Sequence, residues 1–249
     1  EFRRVLFRSA SQADNAGSIP VTCSIRQEPG VNVCSRLFLS ILLIKPTGGK
    51  KMFQTASGVT IPFPEKIREQ FQVFEGRAIR ANISFGKLKF LLTEFYHSLP
   101  EPLFFVLQLP LSIQEERQLG HDKILHQEVC YLDGQTQNQI DSILNLYGQI
   151  LLEDGISQFA VASHTSREEL FIKKYKLIEL YSPSPRRFVP LLQRNGLTET
   201  ARLFTVWDTF SQTTPGKCRR IAMDGLDVYV IAERLKKLGM YRAKIIEDA

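Results

Sequence analysis

The chain has 249 residues, of which 43% are hydrophobic, and it carries a formal net charge of +6 with an isoelectric point near 9.2. The charge is concentrated in residues 1–51, which hold eight Lys or Arg and three acidic residues, whereas residues 52–249 hold 24 basic and 23 acidic residues. The length supplies ample material for a core, and the nearly neutral remainder gives no electrostatic basis for binding nucleic acid.

The first 51 residues resemble translated nucleotide sequence that does not encode protein. Glu1–Ser9 resembles the translation of a short-read sequencing adapter, and residues 16–24 resemble a read-through of the T-arm and 3′ end of a transfer-RNA gene. We therefore expect residues 1–51 to be a spurious, disordered upstream translation and the protein to start at Met52. A neighbouring transfer-RNA gene is also typical of sites where bacterial mobile elements insert.

Other features of the chain indicate neither a membrane protein nor a disulfide scaffold. Leu37–Ile44 is an apolar run of eight residues, whereas a membrane-spanning helix needs about 20. After residue 51 the cysteines are Cys130 and Cys218, which have neither CxxC spacing nor a nearby histidine at ligand spacing. These observations predict a reduced, cytoplasmic protein without a membrane segment or a zinc site.

Hydrophobic spacing predicts two helices and a strand in the first part of the remaining chain. A helix is predicted over 65–74 from the spacing of Ile67, Phe71 and Phe74. A second, amphipathic helix is predicted over 87–98 from the apolar positions Leu88, Leu91, Leu92 and Phe95. Residues 103–109 are apolar at almost every position, which is typical of a strand buried on both faces.

The rest of the chain divides into three strand–helix–strand units. Their predicted strands and helices are, in order, 128–132, 136–152 and 159–162; 170–181, 185–194 and 203–210; and 220–223, 226–238 and 241–246. Strands that alternate with such helices predict an α+β (mixed α/β) fold, in which helices pack on a central mixed sheet of roughly five to seven strands. We expect residues 52–249 to form a single globular domain.

His164 and Asp208 are the candidate catalytic residues. His164 lies just after the apolar strand 159–162 and close to Glu168 and Glu169, where a histidine can act as a general base. Asp208 follows an apolar stretch, where burial can raise the pKa of a carboxyl. The alternatives are an exposed polar turn for His164 and a turn cap or an arginine partner for Asp208, and the sequence favours these structural roles.

Trp207, Arg219 and Arg220 are the candidate binding residues. Trp207 is the single tryptophan of the chain, and the two arginines form one of several dispersed basic pairs. We interpret the basic group Lys173, Lys174 and Lys176 as a solvated surface. No G-x-S-x-G elbow, Walker loop or H-E-x-x-H helix is present, and the sequence indicates neither a cofactor nor a metal site.

The absence of catalytic motifs and the neutral globular part favour a bacterial cytoplasmic protein that acts by binding another protein. One specific form of this hypothesis is an immunity-type protein that neutralises a toxin. The alternative is a small hydrolase that uses His164 and Asp208 in one cleft. The hydrolase hypothesis predicts that His164 and Asp208 converge in one cleft, whereas the binding hypothesis predicts a contiguous exposed patch without that convergence.

Overall fold

The computed structural model describes residues 53–74, 76–119 and 125–248, and the predictions for residues 1–51 lie outside these ranges. Helices pack on a large β-sheet, which confirms the predicted α+β class. The sheet has nine strands, more than the five to seven expected, in the order β11-β5-β4-β6-β7-β8-β3-β2-β9. Each strand is antiparallel to its neighbours except for the parallel pair β2 and β9.

The described residues form eleven strands, two of which (β1 and β10) make a separate small ladder. The strands are β1 (Val59–Thr60), β2 (Gln70–Phe74), β3 (Ala78–Ala81), β4 (Leu103–Pro110), β5 (His126–Gln135), β6 (Gln158–Ser163), β7 (Glu168–Ile172), β8 (Ile178–Tyr181), β9 (Thr198–Glu199), β10 (Lys217–Cys218) and β11 (Tyr241–Glu247). Short loops join the antiparallel neighbours β2 and β3, β6 and β7, and β7 and β8.

The α-helices of the described part are α1 (Phe85–His97), α2 (Ile113–Leu119), α3 (Gln137–Glu153), α4 (Val189–Arg194) and α5 (Val228–Lys237). Four 3-10 helices accompany them, at Pro64–Lys66, Lys174–Lys176, Pro185–Phe188 and Val206–Thr209. The helices predicted over 87–98, 136–152 and 226–238 are confirmed as α1, α3 and α5, which carry the clearest apolar stripes. No helix in the described part is long and apolar enough to span a membrane.

The main core lies between one face of the sheet and helices α1, α3, α4 and α5. Helix α3 is fixed at its start by a capping box, in which the Thr136 hydroxyl accepts from the Gln139 N–H at 3.3 Å and the Gln139 side chain accepts from the Thr136 N–H at 2.8 Å. The buried side of α3 then packs beside α1 over the sheet. The apolar stripes seen in the sequence therefore face this core.

The second face of the sheet has its own apolar cluster, whose described members all lie on strands. Its members are Phe104, Val106, Val129, Tyr131, Ala160, Ala162 and Phe171, with Ile246 packed against them. Strand β4 supplies side chains to both clusters, and seven of its eight residues are buried. The predicted burial of residues 103–109 on both faces is thus confirmed.

Four predicted elements differ from the structure. Residues 65–74 form a 3-10 helix and strand β2 instead of one helix, because Phe71 and Val73 alternate toward the core while Gln72 accepts from the Leu203 N–H at 2.9 Å. Residues 203–210 contain a 3-10 helix instead of a strand, and 220–223 lie outside the strands. Residues 170–181 form two strands, β7 and β8, joined by the 3-10 helix at 174–176.

Candidate binding surface

Three aromatic rings meet near the end of the sheet where the loop between β7 and β8 lies. Tyr175, in that loop, is buried, and its ring centroid lies 5.0 Å from that of Trp207 and 4.9 Å from that of Phe210. The Trp207 and Phe210 centroids are 5.4 Å apart, and all three pairs meet edge to face, which is a favourable arrangement for aromatic rings. The rings belong to, or pack against, a small apolar cluster formed by Ala56, Val59, Ile61, Ile67, Tyr175 and Val206.

Large apolar side chains are exposed on the loops around this cluster. Phe63 is 43% exposed, Phe204 is 42% exposed and Trp207 is 38% exposed. The ammonium group of Lys66 lies 4.1 Å from the centroid of the Phe63 ring, a cation–π contact. We name the exposed residues Phe63, Phe204, Trp207 and Arg219 the Trp207 surface.

The segment from 216 to 221 brings Arg219 and Arg220 to the same region. Gly216 packs directly on the Phe210 and Tyr175 rings, because a Cβ at this position would collide with both. Cys218 packs against the small apolar cluster, and the Arg219 side chain donates from Nε to the Ser57 carbonyl at 3.1 Å. Two of the predicted binding residues, Trp207 and Arg219, are therefore exposed on adjacent segments.

Arg220 faces the neighbouring helix α5 rather than the aromatic rings. Its Nη1 lies 3.4 Å from Oδ2 of Asp227, the residue that caps α5, and its guanidinium lies 5.7 Å from the centroid of the Tyr229 ring. Burial raises the pKa of the Tyr229 phenol to about 12, with the Arg220 charge acting in the opposite direction. Arg220 thus anchors the segment that carries Arg219.

A backbone junction centred on Asp154 holds this segment in place. Gly155 donates its N–H to the Arg219 carbonyl at 3.0 Å, and Arg219 donates its N–H to the Gly58 carbonyl at 2.8 Å. A side chain on Gly58 or Gly155 would collide with the backbone of the other segment. The carboxylate of Asp154, fully buried, accepts the Ile221 N–H at 2.8 Å. We call these contacts the Asp154 junction, a feature that no sequence motif indicated.

Asp208 has the structural role that the sequence favoured. Its Oδ2 accepts from the backbone N–H of Thr205 at 2.7 Å and from the Thr205 hydroxyl at 2.9 Å, so that it closes the capping box of the 3-10 helix 206–209. This short-range contact between residues three apart explains why 203–210 does not continue as a strand.

His164 lies at the opposite end of the sheet from Asp208. It follows Ser163 at the end of β6 and stacks on Phe104 with a centroid distance of 4.2 Å, while its Nε2 is 3.8 Å from Oδ1 of Asp133. The rings of Tyr175, Trp207 and Phe210 lie near the other end of β6, because Lys174, next to Tyr175 in the chain, donates its N–H to the Gln158 side chain. Six strand residues at about 3.3 Å each separate the two ends. The structure therefore does not bring His164 and Asp208 into one cleft.

Lys176 was interpreted as part of a solvated surface, but it is buried. Its backbone is left-handed (φ +61°), and its Nζ donates to the Leu151 carbonyl at 3.0 Å, in the last turn of α3. Burial lowers the pKa of the Lys176 ammonium to about 8, although Asp154, Cys218 and Glu153 act to raise it. A cation at the carboxyl end of a helix is favourable, so Lys176 is best explained as a cap of α3.

We expect the contribution of Lys176 to the folding stability to rise with pH. The pKa of Lys176 is lower in the folded protein than its ordinary value of 10.5, so the unfolded chain binds more protons between about pH 8 and 10. Wild-type stability should therefore increase over this interval relative to Lys176→Met, by up to about 3 kcal/mol. Urea denaturation of both proteins at several pH values measures this, and a constant difference would contradict it.

Metal and cofactor sites were not indicated by the sequence. In the ranges that the structure describes, no group of three or more His, Cys, Asp or Glu side chains is arranged to hold a metal ion. Comparisons with protein-family models, curated proteins and solved structures give no match to this chain. The interpretation of the site therefore depends on its own geometry.

Proposed function

We propose that this protein acts by binding another protein through the Trp207 surface. The observation that carries the proposal is the exposure of Trp207 above the rings of Tyr175 and Phe210. Tryptophan, tyrosine and arginine are the residues most enriched among binding hot spots, particularly where a rigid base supports them. Here the supporting rings hold the indole in place, so that a partner loses little side-chain entropy when it packs on it.

The charge near the surface defines the chemistry of the partner. Arg219 is exposed beside the aromatic residues, and together with Lys66 and Lys217 it outnumbers Glu65 and Asp208, the acidic residues exposed on the same segments. A partner with an apolar patch that is bordered by acidic side chains would complement this arrangement. A specific form of the proposal is a bacterial cytoplasmic protein of the immunity type, which covers a functional surface of a toxin and so neutralises it.

The test compares a surface variant with a matched control. Wild-type protein, Trp207→Ser and Phe90→Ser are used to capture partners from a lysate of the source organism; Phe90 is 59% exposed on α1, outside the Trp207 surface. The partner is then purified, and its affinity for each protein is measured by calorimetry. We expect Trp207→Ser to weaken binding about 30-fold or more, as for a hot-spot residue, and Phe90→Ser to bind like wild type.

The rate of association and its dependence on salt concentration provide a second measurement on the same complex. Arg219→Ala should lower the association rate and reduce its dependence on salt, because an exposed charge at the border of an interface acts mainly on association. Equal affinity of wild type and Trp207→Ser for the purified partner would contradict the proposal. So would the failure of every protein to retain a stoichiometric partner.

A further inference from the structure

Strands β7 and β8 place two glutamates side by side on the second face of the sheet, where the described members of the apolar cluster lie on strands. Glu169 lies opposite Tyr181, and Phe171 lies opposite Glu179. Because side chains alternate along a strand, Glu169, Tyr181 and Glu179 share one face, and the two glutamates are diagonal neighbours. Each glutamate is only 4% exposed.

Glu179 is fully provided with hydrogen-bond donors. Its Oε1 accepts from Nε of Arg80 at 3.0 Å and lies 2.8 Å from Nη2 of the same guanidinium. Its Oε2 accepts from the Tyr181 hydroxyl at 3.0 Å and lies 3.3 Å from the Lys173 ammonium. Two cations and a hydroxyl therefore stabilise the ionised form of this buried carboxylate.

Glu169 has no comparable support. Within residues 53–74, 76–119 and 125–248, neither a hydrogen bond nor an ion pair reaches its carboxyl group. Among the described residues, the groups that face it are Glu179 and Tyr181 from β8, Arg80 from β3, Lys173 just after its own strand, and Ala160 and Ala162 from β6. Arg80 and Lys173 already pair with Glu179, so ionised Glu169 would be a second buried negative charge without its own partner.

We propose that Glu169 is a proton-operated switch, whose neutral form allows β7 and β8 to pack closely and whose ionised form loosens this part of the sheet. Burial, together with the charge of Glu179, raises the pKa of Glu169 to about 7, although Lys173 acts to lower it. The folded-state pKa thus exceeds the ordinary 4.5. The contribution of protonated Glu169 to folding stability is therefore present in full below about pH 4.5 and is lost as the pH rises through about 7.

Hydrogen exchange resolved by residue tests the switch in the full-length protein. After correction for intrinsic exchange, the protection of the β7 and β8 amides in wild type should fall by close to tenfold per pH unit between about pH 5 and 7. In Glu169→Gln, which keeps the size and removes the charge, protection should stay constant over this interval. Glu233→Gln, at an exposed position of α5, should behave like wild type.

A second measurement needs no variant. The infrared band of a protonated carboxylic acid should be present in wild type at about pH 6 and disappear above about pH 8, as expected for a carboxyl group with a pKa near neutrality. Its absence at pH 6 would overturn the proposal even if Glu169→Gln did not fold. A pH-dependent loss of protection that is equal in wild type and Glu169→Gln would overturn it as well.

Discussion

Asp154→Ala is expected to lower the free energy of unfolding by roughly 3–6 kcal/mol, because three N–H groups, one buried and two partly buried, lose a charged acceptor at about 1–2 kcal/mol each. The carboxylate accepts from Ile156 at 2.9 Å, from Ser157 at 2.7 Å and from Ile221 at 2.8 Å, and it is fully buried. A loss of this size is a large fraction of the stability of an ordinary domain. The variant should therefore be partly unfolded under conditions in which the wild type is folded.

Chemical denaturation followed by circular dichroism measures this loss. The control is Glu65→Ala, which removes an exposed carboxylate and should change stability by less than about 0.5 kcal/mol. If Asp154→Ala lost less than about 1 kcal/mol, the Asp154 junction would not be the structural support described above. The same variant should bind a partner of the Trp207 surface more weakly, because the junction positions Arg219 through its backbone.

The elements predicted correctly from the sequence are those with a sustained period. Helices α1, α3 and α5 each keep an apolar stripe over about three turns or more, and side chains at the N-cap positions begin α3 and α5. Residues 65–74 show why short stretches are harder to predict. Ile67, Phe71 and Phe74 fit a helical spacing, but burial of Phe71 and Val73 in the core favours a strand. A tertiary contact, the bond from Leu203 to Gln72, fixes the outcome.

The arrangement of the candidate site depended on topology, which the sequence does not contain. His164 and Asp208 are 44 residues apart in the chain, and only the folded structure places them near opposite ends of strand β6. Glu168 and Glu169 follow the polar turn at His164 in the sequence, yet they lie in β7, which is the fifth of nine strands and has neighbours on both sides. The exposure of Trp207 has one local cause, the capping box formed by Thr205 and Asp208, and one tertiary cause, the Tyr175 ring on which the indole packs.

The second large effect on stability is expected when the buried ion pair between Glu179 and Arg80 is broken. Glu179→Gln should lower the free energy of unfolding by about 3–5 kcal/mol at pH 5, because it leaves two cations beside a neutral amide. The loss of unfolding free energy should be smaller at pH 7 than at pH 5, by up to about 2 kcal/mol. In wild type, Glu169 destabilises the fold near neutral pH, whereas in the variant the repulsion is absent and Lys173 can pair with Glu169. The pKa of Glu169 should then fall.

A double-mutant cycle separates these two contributions. Because Glu169→Gln removes the titrating group, the loss caused by Glu179→Gln in that background should be the same at pH 5 and pH 7. Glu199→Gln breaks the exposed pair with Arg186, whose atoms are 3.4 Å apart, and should cost less than about 1 kcal/mol at either pH. If the loss for Glu179→Gln alone were equal at both pH values, the two glutamates would not interact, and β7 and β8 would not respond to protons through Glu169.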